Sequence, residues 1–252
     1  CWELIRDNDF LSGMYIWTGF DYLGEPTPYW WPARSSYFGV IDLAGFPKDA
    51  YWFYQSEWTD KPVLHLFPHW NWNPGQTVDV WAYTNCDEVE LFLNGSSLGR
   101  RVKGDEDLHL MWRVEYEAGT LLGVGYKDGT EIMRKEIRTA GEPAAILLSP
   151  DRSEIDAGGS DLSFITVTVV DKDNIPVPNA DNLVKFSVEG PGTIAGVDNG
   201  LQTSMEPFLA DYRKAFNGKC LVVLRSGKEK GEITVKASSG GLTGEACKIL
   251  VR

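Results

Sequence analysis

Val78-Asp79-Val80-Trp81-Ala82-Tyr83-Thr84-Asn85-Cys86-Asp87-Glu88-Val89-Glu90-Leu91-Phe92-Leu93-Asn94-Gly95 is the stretch that decides the fold of this 252-residue chain. Val78, Val80 and Ala82 interleave with Asp79, Trp81 and Tyr83. Val89, Leu91 and Leu93 interleave with Glu88, Glu90 and Phe92. A period of two puts each apolar set on one face of a half-buried strand, where a helix would need a period of 3.6. Asn94-Gly95 then supplies the two residues best suited to a tight hairpin turn. Alternating runs closed by such a turn predict antiparallel sheet.

Working outward, Trp112, Val114 and Tyr116 share another face, and Lys127-Asp128-Gly129 is a further hairpin signal. Six or seven short strands over residues 61–141 predict an immunoglobulin-like sandwich. Residues 142–252 repeat the logic with different residues. Leu162 to Val170 is rich in β-branched side chains, and Val184 to Val188, Cys220 to Leu224, Ile233 to Ala237 and Cys247 to Val251 read as further strands. Turns are marked by Gly158-Gly159, Asn217-Gly218 and Gly240-Gly241. A second sandwich is predicted, joined to the first by the short link Ala140-Gly141-Glu142-Pro143.

Toward the N-terminus the composition changes. Eight of the ten tryptophans lie in residues 1–72. Trp2 to Leu11 suits the end of an amphipathic helix, stopped by Gly13. Met14-Tyr15-Ile16-Trp17 has the pattern of a strand buried on both faces. A Gly/Pro/aromatic loop runs from Thr18 to about Ser36, and a second apolar stretch from Tyr37 to Leu43. Asp49 to Trp58 is aromatic every three to four residues and predicts a helix. Helix, strand, long loop and helix make one repeat of an α/β barrel or doubly wound sheet. One repeat cannot bury itself, so its aromatic faces are expected to dock on the first sandwich, associate with another copy, or stay mobile. Self-association through this segment is the partner expectation.

The charge balance, 36 acidic against 24 basic residues for a net of -12, argues against nucleic acid or an anionic membrane surface as partner. No apolar run approaches the roughly 18 residues of a membrane span. Four cysteines do not make a disulfide scaffold, and Cys220 and Cys247 read mainly as structural strand residues. The first residue is Cys1, and the chain is expected to be a piece of something longer.

No metal or cofactor is expected. His65 and His69 are separated by Pro68 on a strand-like segment and lack the helical spacing of a zinc pair. Asp171-Lys172-Asp173-Asn174 begins like a calcium loop, but Pro176 and Asn182 stand where Gly and Glu would be needed. Gly123-x-Gly125 has the wrong spacing for a dinucleotide fingerprint. Asn94-Gly95-Ser96 is formally a glycosylation sequon that turn chemistry already explains. No serine-nucleophile motif is present.

Trp17-Thr18-Gly19-Phe20-Asp21-Tyr22-Leu23-Gly24-Glu25 is the most informative segment for function. If Met14 to Trp17 is a barrel strand, this loop leaves its C-terminal end, where barrel enzymes keep their active sites. Trp17 offers a flat face suited to a sugar ring, and Asp21 and Glu25 could accept sugar hydroxyls. An aromatic loop packed on the next sandwich explains the same composition equally well.

Trp17 to Glu25, Ser35 to Asp49 (Ser-Ser-Tyr-Phe-Gly-Val-Ile-Asp-Leu-Ala-Gly-Phe-Pro-Lys-Asp) and Tyr54 to Trp58 resemble glycoside hydrolase family 2. The likeness is strongest to β-galactosidases of gut Bacteroidetes. His65 to Trp72 and Cys86 to Gly95 resemble the sandwich that follows the family's barrel, and residues 142–252 a further C-terminal domain. The resemblance implies a mainly β chain: two consecutive immunoglobulin-like sandwiches, 61–141 and 142–252. Before them it implies the last βα unit of a (β/α)8 barrel, residues 1–60. It implies a retaining glycosidase that acts on a β-linked oligosaccharide or glycoside, in the bacterial periplasm, at the cell surface or secreted. In the family both catalytic glutamates lie on earlier barrel strands, so no catalytic residue is expected here. Trp17 matches the tryptophan that lines the sugar subsite, and Asp21 and Glu25 match the loop beside it. The rival reading is a non-catalytic carbohydrate-binding or adhesive module, which exposed Trp70 and Trp72 on one strand face would favour.

Overall fold

A computed structural model describes residues 1–252. The chain forms two compact units. One comprises Cys1–Tyr22, Tyr37–Asp42 and Pro47–Thr139, the other Leu23–Ser36, Leu43–Phe46 and Ala140–Arg252.

The first unit holds α1 (Trp2–Arg6) and α2 (Asp49–Trp58). They are followed by β1 (Leu64–Phe67), β2 (Thr77–Thr84), β3 (Glu88–Leu93), β4 (Ser96–Val102), β5 (Leu110–Glu115), β6 (Thr120–Lys127) and β7 (Thr130–Arg138). Two sheets form, in the orders β1-β2-β5 and β4-β3-β6-β7. The alternating residues face the core between them: Val78, Val80 and Ala82 from one sheet meet Val89, Leu91 and Leu93 from the other. Asn94 and Gly95 take φ of 50° and 83°, as a two-residue hairpin of this type requires. Gly123 and Gly125 are packing residues of β6. A Cβ there would lie 2.9 Å from Leu66 Cδ1 and 2.6 Å from Cys86 Sγ.

α2 lies against the outer face of the three-stranded sheet. Trp52 stacks on His65 with centroids 5.3 Å apart, and Phe53 meets Tyr83 at the same separation. α1 is shorter than the expected Trp2 to Leu11. It stops at Arg6, and Asn8 Nδ2 donates to the Leu4 carbonyl at 2.9 Å. The run Asp7-Asn8-Asp9 explains the stop, because such side chains compete with the helix for backbone groups. α1 buries no residue and is tethered by polar contacts, Trp2 Nε1 to Glu57 Oε2 at 2.8 Å and Arg6 Nη1 to the Asp105 carbonyl at 2.8 Å.

The expected strand at Met14 to Trp17 does not form. The segment pairs with no ladder, and Tyr15 is fully exposed. Apolar patterning supplies a strand's faces but not its neighbours, and a strand exists only through hydrogen bonds to another strand. Residues after it pair through isolated bridges, Phe20 with Ile41 and Ile41 with Pro47.

The second unit holds β8 (Ala145–Pro150), β9 (Glu154–Ile155), β10 (Leu162–Val170), β11 (Leu183–Glu189), β12 (Gly192–Asp198), β13 (Tyr212–Lys214), β14 (Lys219–Ser226), β15 (Gly231–Ser238) and β16 (Glu245–Val251). Its sheets run β12-β14-β10-β8 and β13-β11-β15-β16-β9. Ile165, Val167, Val222 and Leu224 of one sheet pack with Ile233, Val235 and Ile249 of the other. Cys220 and Cys247 stand on opposite sheets and are both free thiols. Asp171 closes a turn: Oδ1 accepts from the N–H groups of Asp173 and Ile175, and Oδ2 from that of Gly141. Burial pulls its pKa upward, but these three donors outweigh it and hold the carboxyl below its ordinary value. The molecule is thus mainly β, built on two sandwiches.

Candidate functional site

Trp17 projects its indole outward, 73% exposed. Nε1 donates to the Tyr22 hydroxyl at 3.2 Å, and the two rings meet edge to face with centroids 6.1 Å apart. The backbone beneath is laced to the segment 38–41. Thr18 N–H donates to the Phe38 carbonyl (3.3 Å), Val40 N–H to that of Thr18 (3.1 Å), and Asp21 N–H to that of Ile41 (2.9 Å).

Asp21 fastens this lacing from inside. It is buried, and its Oδ1 accepts from Gly39 N–H and from Lys48 Nζ, both at 2.8 Å. Lys48 Nζ also donates to the Tyr37 carbonyl at 2.9 Å. Gly39 leaves no room for a side chain: a Cβ would lie 2.2 Å from Asp21 N and 2.5 Å from Ile41 O. Sequence reading assigned no role to Lys48 or Gly39. The signal for Lys48 was present, because a buried carboxylate needs a cation or several donors, and residues 1–60 contain only Arg6, Arg34 and Lys48 as basic side chains.

Glu25 belongs to the second unit, whereas Trp17 and Asp21 belong to the first. It is exposed, with φ of 43°. Its loop is closed at the base by the bridge of Leu23 with Ser35 and by Gly24 N–H donating to the Arg34 carbonyl at 2.8 Å. Trp30 and Trp31 on the same loop are both strongly exposed.

Trp70 and Trp72 do not form an open platform. Pro68 ends β1 before either residue, so they share no strand face. Trp70 is wholly buried in the sandwich core, with Nε1 donating to the Glu117 carbonyl at 2.9 Å. Trp72 stacks on His69 with centroids 4.7 Å apart. Partial burial lowers the His69 pKa, favouring the neutral ring. His65 Nε2 lies 2.7 Å from Asp49 Oδ1 in the α2 contact. Carboxylates of Glu3, Asp7 and Glu106 converge on the surface, with the Arg6 guanidinium bonded to Asp7 and Glu106.

Chemically, the loop presents a rigidly backed indole with a polar edge at Tyr22. Such a face takes the apolar side of a sugar ring while neighbouring polar groups meet its hydroxyls.

Residues 146–248 match the family model described as glycoside hydrolase family 2 C-terminal domain 5, and residues 75–133 match a domain of unknown function, DUF4982. Beta-galactosidase BoGH2A of Bacteroides ovatus is 58% identical over 248 residues, which is 98% of this chain and 29% of that protein. A putative beta-glucuronidase of Formosa agariphila is 36% identical over 244 residues, 93% of this chain and 23% of that protein. A solved glycosyl hydrolase family 2 member from Bacteroides cellulosilyticus matches with a TM-score of 0.90 and 35% identity, over 100% of this chain and 37% of that one. The chain thus spans less than a third of these curated relatives. It belongs to glycoside hydrolase family 2 and corresponds to the C-terminal region of its members.

Proposed function

We propose that this chain is the C-terminal part of a retaining, β-galactosidase-like glycosidase, and that Trp17 supplies one wall of the sugar subsite. The observation that carries the specificity is the 58% identity to a β-galactosidase across nearly the whole chain. The β-glucuronidase relative at 36% supports the broader glycosidase class.

Retention needs two carboxyl groups about 5–5.5 Å apart, one a nucleophile and one an acid/base. In this reading both come from the rest of the protein. Asp21 is committed to Lys48 and Gly39, so its work is to hold the Trp17 loop rather than to attack a sugar. Trp17 stacks on the bound ring and orients it, and the Tyr22 hydroxyl beside Nε1 extends the polar edge. Glu25, exposed on its own loop, accepts hydroxyl hydrogen bonds. The sandwiches act as scaffold, and burial of Trp70 in the core counts against their being a sugar platform.

The 252-residue chain alone should therefore not hydrolyse glycosides. Nitrophenyl β-galactoside and nitrophenyl β-glucuronide, offered to this chain and to the whole protein, test the reading. The whole protein is expected to prefer the galactoside, with no turnover by the chain. Turnover by the chain that one point mutation within it abolishes would contradict the proposal.

A further inference from the structure

Arg213 is the inward residue of the three-residue strand β13 and is completely buried. Nη2 donates to the carbonyls of Val197 (2.6 Å) and Pro207 (3.2 Å), and Nη1 to Ser204 Oγ (3.2 Å). The Glu206 carboxylate lies 3.7 Å from Nη1, and Nε has no hydrogen-bond partner. A guanidinium at this depth forfeits its hydration, and an aliphatic residue would fill a sandwich position at lower cost. Three of these four contacts go to one segment, the loop 199–211 that joins β12 to β13.

That loop in turn holds the loop 23–36 of the same unit. Arg34 Nη2 donates to the Glu206 carbonyl at 2.7 Å, and Arg34 N–H to the Gln202 carbonyl at 3.4 Å. The Arg34 guanidinium lies 4.8 Å from the centre of the Phe208 ring, which the Arg213 guanidinium approaches to 5.6 Å. Two stacked, hydrogen-bonded guanidinia on one ring form a fixed joint, because the planar group binds carbonyls and aromatic faces at once. The Arg34 carbonyl accepts from Gly24 N–H, so the joint ends at the base of the loop that carries Glu25, Trp30 and Trp31.

We infer that Arg213 and Arg34 are positioning residues through which the C-terminal sandwich holds the aromatic loop 23–36 in one shape. The consequence for substrate rests on the glycosidase reading above and on the exposure of Trp30 and Trp31 on this loop. Trp30 and Trp31 would then meet sugar rings of an oligosaccharide, and loss of the joint would raise KM for it while leaving kcat nearly intact.

Hydrogen exchange on the 252-residue chain tests the joint without reference to sugar. Arg34→Ala should speed exchange of amides 24–35 by roughly tenfold or more while β10 and β14 stay protected. Arg34→Lys should fall between, since an ammonium can reach one carbonyl but cannot stack as a plane. Arg213→Met should loosen 199–211 and 23–36 together; if it fails to fold, the Arg34 variants decide alone. Unchanged exchange of 24–35 in Arg34→Ala would overturn the inference. In the whole protein, KM for an oligosaccharide should rise severalfold in Arg34→Ala, with kcat within about twofold. Faster exchange with unchanged kinetics would support the joint and would instead refute sugar contact by this loop.

Discussion

Lys48 Nζ lies 2.8 Å from Asp21 Oδ1, and the Asp21 side chain is fully shielded from solvent while 27% of the Lys48 side chain is exposed. This pair, with Gly39 N–H on the same oxygen, fixes the backbone on which Trp17 stands. Asp21→Ala would leave the ammonium with the Tyr37 carbonyl but no carboxylate, and the buried Gly39 N–H without this acceptor. Removing one member of a buried pair costs about 3–5 kcal/mol, and the partial exposure of Lys48 places this case at about 3. Asp21→Asn keeps one acceptor oxygen and should cost less. Limited proteolysis within 18–48 and thermal unfolding would report the loss. An unchanged cleavage pattern in Asp21→Ala would show that the pair does not hold the loop.

Trp70 should behave as a core residue. Truncation of a buried aromatic costs about 3–5 kcal/mol, so Trp70→Ala should lower the urea midpoint sharply. Trp70→Phe should cost less, chiefly through the unpartnered Glu117 carbonyl. A urea midpoint indistinguishable from the parent chain would place Trp70 outside the core.

Thiol chemistry gives an independent check on the second sandwich. Burial pushes the Cys220 thiol up to about 12, and burial also raises Cys86 and Cys247, whereas Cys1 is exposed. At pH 8 an aromatic disulfide reagent should modify Cys1 quickly and Cys220 only after unfolding. The sign for stability follows from the raised value. An unfolded thiol titrates near about 8.5, so the contribution of neutral Cys220 is complete below that pH. It drains as pH rises from there toward about 12. Four thiols reacting at one rate in the folded chain would contradict this.

The strands were legible where side-chain alternation and turn residues agreed. β2, β3 and β10 follow directly from Val78/Val80/Ala82, from Val89/Leu91/Leu93 and from the β-branched run after Leu162. Met14 to Trp17 pairs with no strand of this chain, because apolar content describes what a strand would bury and only a neighbouring strand can make it one. The shared strand face of Trp70 and Trp72 is absent because the chain turns irregular after Pro68, where period-two reasoning no longer assigns a face. Trp17 is singled out by the family motif around it. The Asp21–Lys48 pair spans 27 residues of sequence and could be seen only once the segments were laced together. Arg213 looks like an ordinary basic residue on an edge strand until its surroundings close over it.

The central claim is that Trp17 touches sugar, and one variant tests it most directly. In the whole protein, Trp17→Ala should lower kcat/KM on a β-galactoside by roughly two orders of magnitude, equivalent to about 2.7 kcal/mol of transition-state stabilisation. In the 252-residue chain the indole is mostly exposed, so the Tm of that chain carrying Trp17→Ala should scarcely move. Measuring kcat/KM and Tm on the same variant separates the two roles. A large fall in Tm with unchanged kcat/KM in the folded fraction would show that Trp17 serves packing and not the substrate.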